Sequence, residues 1–179
     1  MRSIAGFIYF KMMGWKLPGK FPDLKKCVII IAPHTSWWDF VLGLLVREII
    51  GKKVNFIAKD SLFKPPFGWF FRWLGGAGID RNRSNATVKA IARIFASREE
   101  FRLALSPEGT RKKVSGWKTG FYYIAKAAGV PIVMVAFDFG KRQVKFSEPI
   151  YPTDNREADF NRYMAFYKGV AGKVPANSF

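Results

Sequence analysis

His34 is the only histidine in the sequence, so any step that needs a side chain titrating near neutral pH falls to it. Asp39 stands five positions on. A carboxylate in the first turn of a helix that begins just after the histidine can turn back and hold one imidazole N–H. The other ring nitrogen is then left to take a proton from a hydroxyl. The spacing fits a second reading too, in which Asp39 answers the dipole at the helix N-terminus and His34 is an ordinary loop residue. No serine or cysteine sits on a turn suited to a nucleophile. Ser36 reads as a helix cap and Cys27 opens a buried strand, so direct attack by a substrate hydroxyl is the simpler scheme.

The second group of reactive residues is SPEGTRKK, residues 106–113, which leaves a strand through a proline and a glycine and presents Glu108, Thr110 and Arg111 at a turn. Such a turn can bind an anion: the planar guanidinium of Arg111 matches a phosphate, and Lys112 and Lys113 add positive charge. A solvated basic loop would read the same way. The whole chain leans in this direction, with 30 Lys and Arg against 13 Asp and Glu and a formal net charge of +17. Anionic partners follow, whether lipid or nucleic acid. Eighteen Phe, six Trp and six Tyr, several beside Lys or Arg, favour a lipid headgroup boundary over nucleic acid.

A single cysteine excludes an internal disulfide and any multi-cysteine metal site, and no cluster of metal ligands is evident. The longest apolar runs, residues 28–32 and 40–46, fall far short of the roughly 20 residues that cross a bilayer.

These residues need a scaffold, and the apolar pattern supplies one. Strands are expected at 26–32, 54–58, 101–107, 130–138 and 143–147, and helices at 36–50, 82–97, 117–128 and 155–171. Residues 62–76 read as a loop with a short helix, broken by Pro65, Pro66 and Gly68. The alternation predicts an α/β fold: a single domain with a central mixed sheet flanked by helices. Residues 1–20 are expected to form an N-terminal membrane-associating helix and residues 21–179 the domain proper. The segment RSIAGFIYFKMMGWKL suits a helix lying on a membrane and a helix packed on the core about equally. No small-residue cleavage site follows it, so a signal peptide is not expected.

Taken together, His34 to Asp39, GAGIDR at 76–81, PEGTR at 107–111 and VPIV at 130–133 follow one another in the order and rough spacing of the lysophosphatidic acid acyltransferases, the glycerolipid acyltransferase family. The resemblance covers about residues 28–138. The chain departs from the usual pattern at Pro33, Gly78, Ser106 and Met134, while the acidic and basic residues are kept.

The resemblance implies acyl transfer from acyl-CoA or acyl carrier protein to a lysophospholipid such as 1-acylglycerol-3-phosphate, giving phosphatidic acid. His34 would be the general base, oriented by Asp39. It implies an acceptor-phosphate site made of Glu108, Gly109, Thr110, Arg111 and Arg81, with Lys59 in the same anion pocket. Read without the family, Lys59 is equally a surface lysine and Arg81 a cation near a helix start. No cofactor beyond the thioester co-substrate, no metal and no nucleic-acid partner is expected. Trp37, Trp38, Phe67, Trp69, Phe70 and Trp73 are candidates for the acyl groove or for a membrane-facing rim. Backbone N–H groups near the start of the 36–50 helix are candidates for stabilising an oxyanion. Attachment is expected to be peripheral, on the cytoplasmic face of the inner membrane surface, through residues 4–17 and 62–74. Two readings compete: acyl transfer to another lysolipid or an aminolipid, and a non-catalytic basic module for membrane or nucleic acid.

Overall fold

The run KCVIIIA is apolar at nearly every position after its lysine, the pattern of a strand covered on both faces. It forms β1 (Lys26–Ala32), whose only partly exposed residues are Lys26 and Ile31. The computed structural model describes residues 2–79 and 84–178. In chain order the remaining elements are α1 (Arg2–Gly6), which continues as a π-helical stretch over Phe7–Met12, then α2 (Trp38–Ile50), β2 (Asn55–Lys59) and a 3-10 turn at Asp60–Phe63. There follow α3 (Gly68–Trp73), β3 (Gly76–Ile79), α4 (Ser84–Ser97), β4 (Phe101–Leu105), α5 (Gly120–Ala128), β5 (Ile132–Asp138), β6 (Gln143–Phe146) and α6 (Arg156–Tyr167).

The six strands form one sheet in the order β3-β2-β4-β1-β5-β6. All neighbours are parallel except β5 and β6, so the sheet is mixed, as the pattern predicted. Alternation along β1 divides the core into two layers. Val28, Ile30 and Ala32 pack with Phe95 of α4, Phe121 of α5 and Tyr163 of α6. Cys27 and Ile29 point the other way, onto Leu42 and Val46 of α2 and onto Tyr9 and Trp15. Each buried Val, Ile, Leu or Phe among them contributes roughly 1.5–3 kcal/mol. Tyr167 fastens α6 to the sheet by donating its hydroxyl to the Ile30 carbonyl at 2.8 Å.

Helix ends follow the expected chemistry. Gly51 closes α2 at φ 64° and Gly129 closes α5 at φ 64°, left-handed positions that glycine takes without a Cβ penalty. Three elements differ from expectation. The helical part of residues 1–20 ends at Met12. Trp15 is then buried, and Lys16 pairs with Gln143 at the sheet edge. GAGI forms β3 although it lacks the β-branched content of a strand. It is accepted as an edge because a Cβ at Gly76 would lie 2.6 Å from the Phe56 ring, so only glycine lets the two strands approach. The last helix stops at Tyr167, short of residue 171.

Among the described residues, no helix is long and apolar enough to cross a membrane. Large apolar side chains do lie exposed on two short helical segments: Ile4, Phe7, Phe10 and Met12 at the N-terminus, and Phe67, Trp69, Phe70 and Trp73 on and beside α3. The second segment depends on Gly68, whose missing Cβ would sit 2.0 Å from the Phe63 carbonyl oxygen. Gly68→Ala is therefore expected to destabilise the fold by about 1–3 kcal/mol and lower Tm measured by circular dichroism, with the near-ultraviolet tryptophan signal changed. An unchanged Tm and spectrum would show that α3 does not rest on the 3-10 turn in this way.

Candidate active site

The parallel strands β1, β2 and β4 end on one side of the sheet with β5, and this is where open α/β sheets bind ligands. β1 stops at Ala32, the chain passes through Pro33, and His34 stands at the sheet edge before α2 begins. Its Nδ1 is 3.0 Å from Asp39 Oδ2, with the His34 side chain 29% exposed and that of Asp39 1% exposed. Asp39 Oδ2 also accepts the backbone N–H groups of Thr35 at 2.9 Å and Ser36 at 3.0 Å. A buried carboxylate needs such donors, and here they bend the loop so that the histidine lies beside it. The Ser36 hydroxyl accepts from the Trp38 N–H at 3.3 Å, but the helix cap expected of it falls to Trp37, which makes no side-chain capping bond.

Glu108 enters the site through the backbone. It is buried, and its Oε2 accepts the His34 N–H at 2.8 Å. The next residue, Gly109, turns at φ 65°, and a side chain there would meet the aliphatic end of Lys118 at 3.1 Å. Thr110, Arg111, Lys112 and Lys113 then run along the surface, exposed, with Thr110 Oγ1 accepting the Lys112 N–H at 3.3 Å. Lys118 thus joins the basic loop. Spacing alone did not single it out, because the turn that brings it over Gly109 is made by a backbone bond from Lys118 N–H to the Pro107 carbonyl at 2.8 Å. Lys59 is the last residue of β2, at the same end of the sheet. Arg81 lies outside the described residues.

Two other expectations change. Of the backbone amides from His34 to Phe40, those of His34, Thr35, Ser36, Trp38, Asp39 and Phe40 are already bonded, which withdraws most of the helix start from the role of oxyanion donor. Trp37 N–H is the amide of that stretch without a bond to another described residue. The six aromatic residues considered for an acyl groove or a membrane-facing rim are exposed, between 36% for Phe70 and 75% for Trp73, and none of them lines the apolar cavity beneath α2. That cavity, nearly wholly apolar and of about 110 Å³, lies between Ile29, Ile31, Leu44, Phe56 and Phe137, with Asp39 in its wall. The buried Oδ1 of Asp39 has no hydrogen-bond partner among the described residues. Cys27 is no nucleophile: burial pushes its thiol up to about 12, against a small opposing pull from Arg102.

Burial also pushes the Glu108 carboxyl up, from an ordinary 4.5 to about 7; the His34 N–H and imidazole oppose the rise and Asp39 adds to it. A carboxyl raised on folding keeps its proton longer in the folded chain than in the unfolded one. Stability is therefore lost as pH climbs from about 4.5 to about 7 and is level above that. Glu108→Gln keeps an acceptor for the His34 N–H and removes the titration. Between those two pH values its unfolding free energy is expected to gain on the native chain, by on the order of 3 kcal/mol at most. Parallel stability profiles for the two proteins would mean that Glu108 ionises as an ordinary glutamate.

Residues 17–138 match the family model described as Acyltransferase. The 1-acyl-sn-glycerol-3-phosphate acyltransferase of Streptococcus pneumoniae is 32% identical over 119 residues, covering 66% of this chain and 44% of that protein. The 1-acyl-sn-glycerol-3-phosphate acyltransferase beta of Homo sapiens is 32% identical over 143 residues, covering 75% of this chain and 50% of that protein. The chain spans about half the length of the curated relatives it matches. The crystal structure of the 1-acyl-sn-glycerophosphate (LPA) acyltransferase PlsC from Thermotoga maritima superposes with a TM-score of 0.60 at 21% identity, over 92% of this chain and 75% of that one, and so shares its fold. The matched residues take in every strand from β1 to β5 and both loops of the site, and on that ground the chain belongs to the acyltransferase family, whose members include these 1-acyl-sn-glycerol-3-phosphate acyltransferases.

Proposed function

We propose that the chain moves a fatty acyl group from a thioester, acyl-CoA or acyl carrier protein, to the free hydroxyl of a lysophospholipid, with 1-acylglycerol-3-phosphate as acceptor and phosphatidic acid as product. The observation that carries this reading is the 3.0 Å contact between His34 Nδ1 and Asp39 Oδ2, made by a buried carboxylate to a partly exposed imidazole. Nδ1–H is held on Asp39, so Nε2 is the basic nitrogen. It removes the acceptor's hydroxyl proton as that oxygen attacks the thioester carbonyl. Asp39 stabilises the imidazolium that forms. Collapse of the tetrahedral intermediate forms the new ester and breaks the C–S bond, and the departing thiolate takes the proton from Nε2. The Trp37 N–H is the helix-start amide left to meet the oxyanion.

The acceptor phosphate is assigned to the exposed Arg111 with Thr110, the Gly109 turn and Lys118, and to Lys59 and Arg81 as the family likeness implies. Glu108 belongs to the site in another way. Its carboxylate would repel a phosphate, whereas its bond to the His34 backbone holds the general base in place. The apolar cavity beneath α2 reaches the wall formed by Asp39, but at about 110 Å³ it is smaller than the ~150 Å³ that admits a benzene ring, so it takes a few methylenes of the acyl chain and the rest lies outside it.

Thiol release from palmitoyl-CoA and from palmitoyl carrier protein, with and without 1-acylglycerol-3-phosphate and other lysolipids, tests the reaction. Wild type should release thiol only with acceptor present, His34→Ala should lose at least about a thousandfold in rate, and Arg111→Ala should raise acceptor KM by roughly tenfold. No release with any pair, from folded and lipid-bound protein, would remove the acyltransferase reading. An unchanged acceptor KM in Arg111→Ala would remove the phosphate site.

The exposed Phe7, Phe10, Trp69 and Trp73, on a chain of net charge +17, support peripheral attachment to an anionic membrane, on its cytoplasmic face. Wild type is expected to sediment with vesicles containing phosphatidylglycerol. The Trp69→Ser/Trp73→Ser variant should lose several-fold in vesicle binding while retaining its circular dichroism spectrum. Equal binding by both proteins would place the membrane contact elsewhere.

A further inference from the structure

An acyl transfer of the proposed kind has two charged substrates, and the basic loop at 107–113 can serve only one of them at a time. The sheet order puts β1 between β4 and β5, so the loop carrying His34 is flanked on one side by the loop after β4 and on the other by the turn after β5. The first is the PEGTR loop. The second, Phe139 to Arg142, borders an open groove of about 510 Å³ that also takes in Met13, Trp15 and Trp38 and residues 171–173 near the C-terminus. That volume lies within the usual range for small-molecule sites, roughly 300–1,000 Å³.

The groove is joined to the catalytic loop at two points. Trp38 is the neighbour of Asp39, and the Thr35 hydroxyl accepts the Val174 N–H at 3.2 Å. Gly172 packs so closely that a Cβ there would lie 2.6 Å from the same hydroxyl. Its chemistry is distinct from that of the cavity under α2. Two cations, Arg142 and Lys173, line it beside the rings of Trp38 and Phe139, with the Lys173 ammonium 5.7 Å from the centre of the Phe139 ring. No carboxylate lines it among the described residues. The nearby Asp138 is buried and turned inward, accepting the Lys141 N–H at 3.1 Å and the Gln143 side-chain amide at 3.4 Å. Those bonds fold the turn that presents Arg142, itself held at φ 47°. A groove with two cations, aromatic walls and no acid fits a phosphorylated ligand that carries an apolar or ring-bearing portion.

We propose, on the strength of the acyltransferase reading above, that this groove binds the phosphorylated pantetheine end of the thioester donor, while the PEGTR loop takes the acceptor's phosphate. The two substrates then approach His34 from opposite sides of β1. The donor's phosphate or phosphates meet Arg142 and Lys173, and its chain leads past Trp38 toward the catalytic loop. Coenzyme A and the prosthetic arm of an acyl carrier protein share this chemistry.

Arg142→Glu/Lys173→Glu is the test, since both side chains are exposed and the substitutions should leave Tm unchanged. Donor KM is measured with palmitoyl-CoA and with palmitoyl carrier protein, acceptor KM with 1-acylglycerol-3-phosphate, and direct binding with coenzyme A and 4′-phosphopantetheine by calorimetry. The expected result is a rise in donor KM of about tenfold or more with acceptor KM within twofold of wild type, the mirror image of Arg111→Ala. A rise with palmitoyl-CoA alone identifies coenzyme A as the occupant, and a rise with the carrier-protein thioester alone identifies the prosthetic arm. Donor KM unchanged with both, or donor and acceptor KM rising together, overturns the proposal. Failure of the acyltransferase reading shows separately, as no thiol release by wild type. The calorimetry then decides: coenzyme A or phosphopantetheine binding that the double variant loses upholds the groove as a phosphopantetheine site, and no binding by wild type refutes it.

Discussion

The architecture of the site rests on one buried carboxylate. Asp39 is 2% exposed, and a charge so placed is tolerated only where donors converge on it. Three do so at a single oxygen, from Thr35, Ser36 and the His34 ring. Because two of the three are backbone groups of the residues just before the helix, satisfying the carboxylate and shaping the loop are the same event. The consequences run outward. Thr35, pinned by its N–H, uses its hydroxyl to hold the backbone of Val174 and so ties the C-terminal segment to the His34 loop. Glu108 grips the same loop from the far side through the His34 N–H. Two carboxylates therefore fix the position of one imidazole, one by its ring and the other by its main chain.

That arrangement is available because of where β1 sits. A strand with parallel neighbours on both sides delivers its C-terminal residue between two other loops, and β4 and β5 supply them. The core layers hold β1 in place from both faces, through α4, α5 and α6 on one side and α2 with the N-terminal segment on the other. Shifting β1 by one residue would exchange Val28 and Ile30 for Cys27 and Ile29 in each layer and move His34 by more than 3 Å, a strand's rise per residue. The same packing that stabilises the fold thus sets where His34 stands.

Much of this was legible from the residues themselves. The β-branched run at 26–32, the glycines at 51 and 129 and the His34–Asp39 spacing each report a local rule, and local rules survive folding. What was not legible depends on contacts between segments far apart in sequence. GAGI became a strand because Phe56 needed a neighbour without side chains, not because of its own propensity. Lys118 joined the anion loop through a backbone bond to Pro107. The cavity under α2 gathers residues from β1, α2, β2, β4, β5 and β6, and no window of sequence contains it. The engagement of the His34, Thr35 and Ser36 amides followed from Asp39 and Glu108 turning inward, which the spacing allowed without requiring.

The exposed aromatic residues are explained by α2 more than by their own helices. Phe71 on α3 meets Trp37 and Phe40 at ring distances of 6.5 and 6.0 Å, while α1 packs along the same helix. One helix therefore carries Asp39 in its first turn, forms one wall of the apolar cavity, and supports both segments whose Phe and Trp side chains face outward. Left in water, those rings forgo the stability that burying them would contribute. The outward-facing rings, the apolar cavity and the His34–Asp39 pair are thus all referred to a single rigid element, so whatever engages one of them leaves its spacing from the other two unchanged.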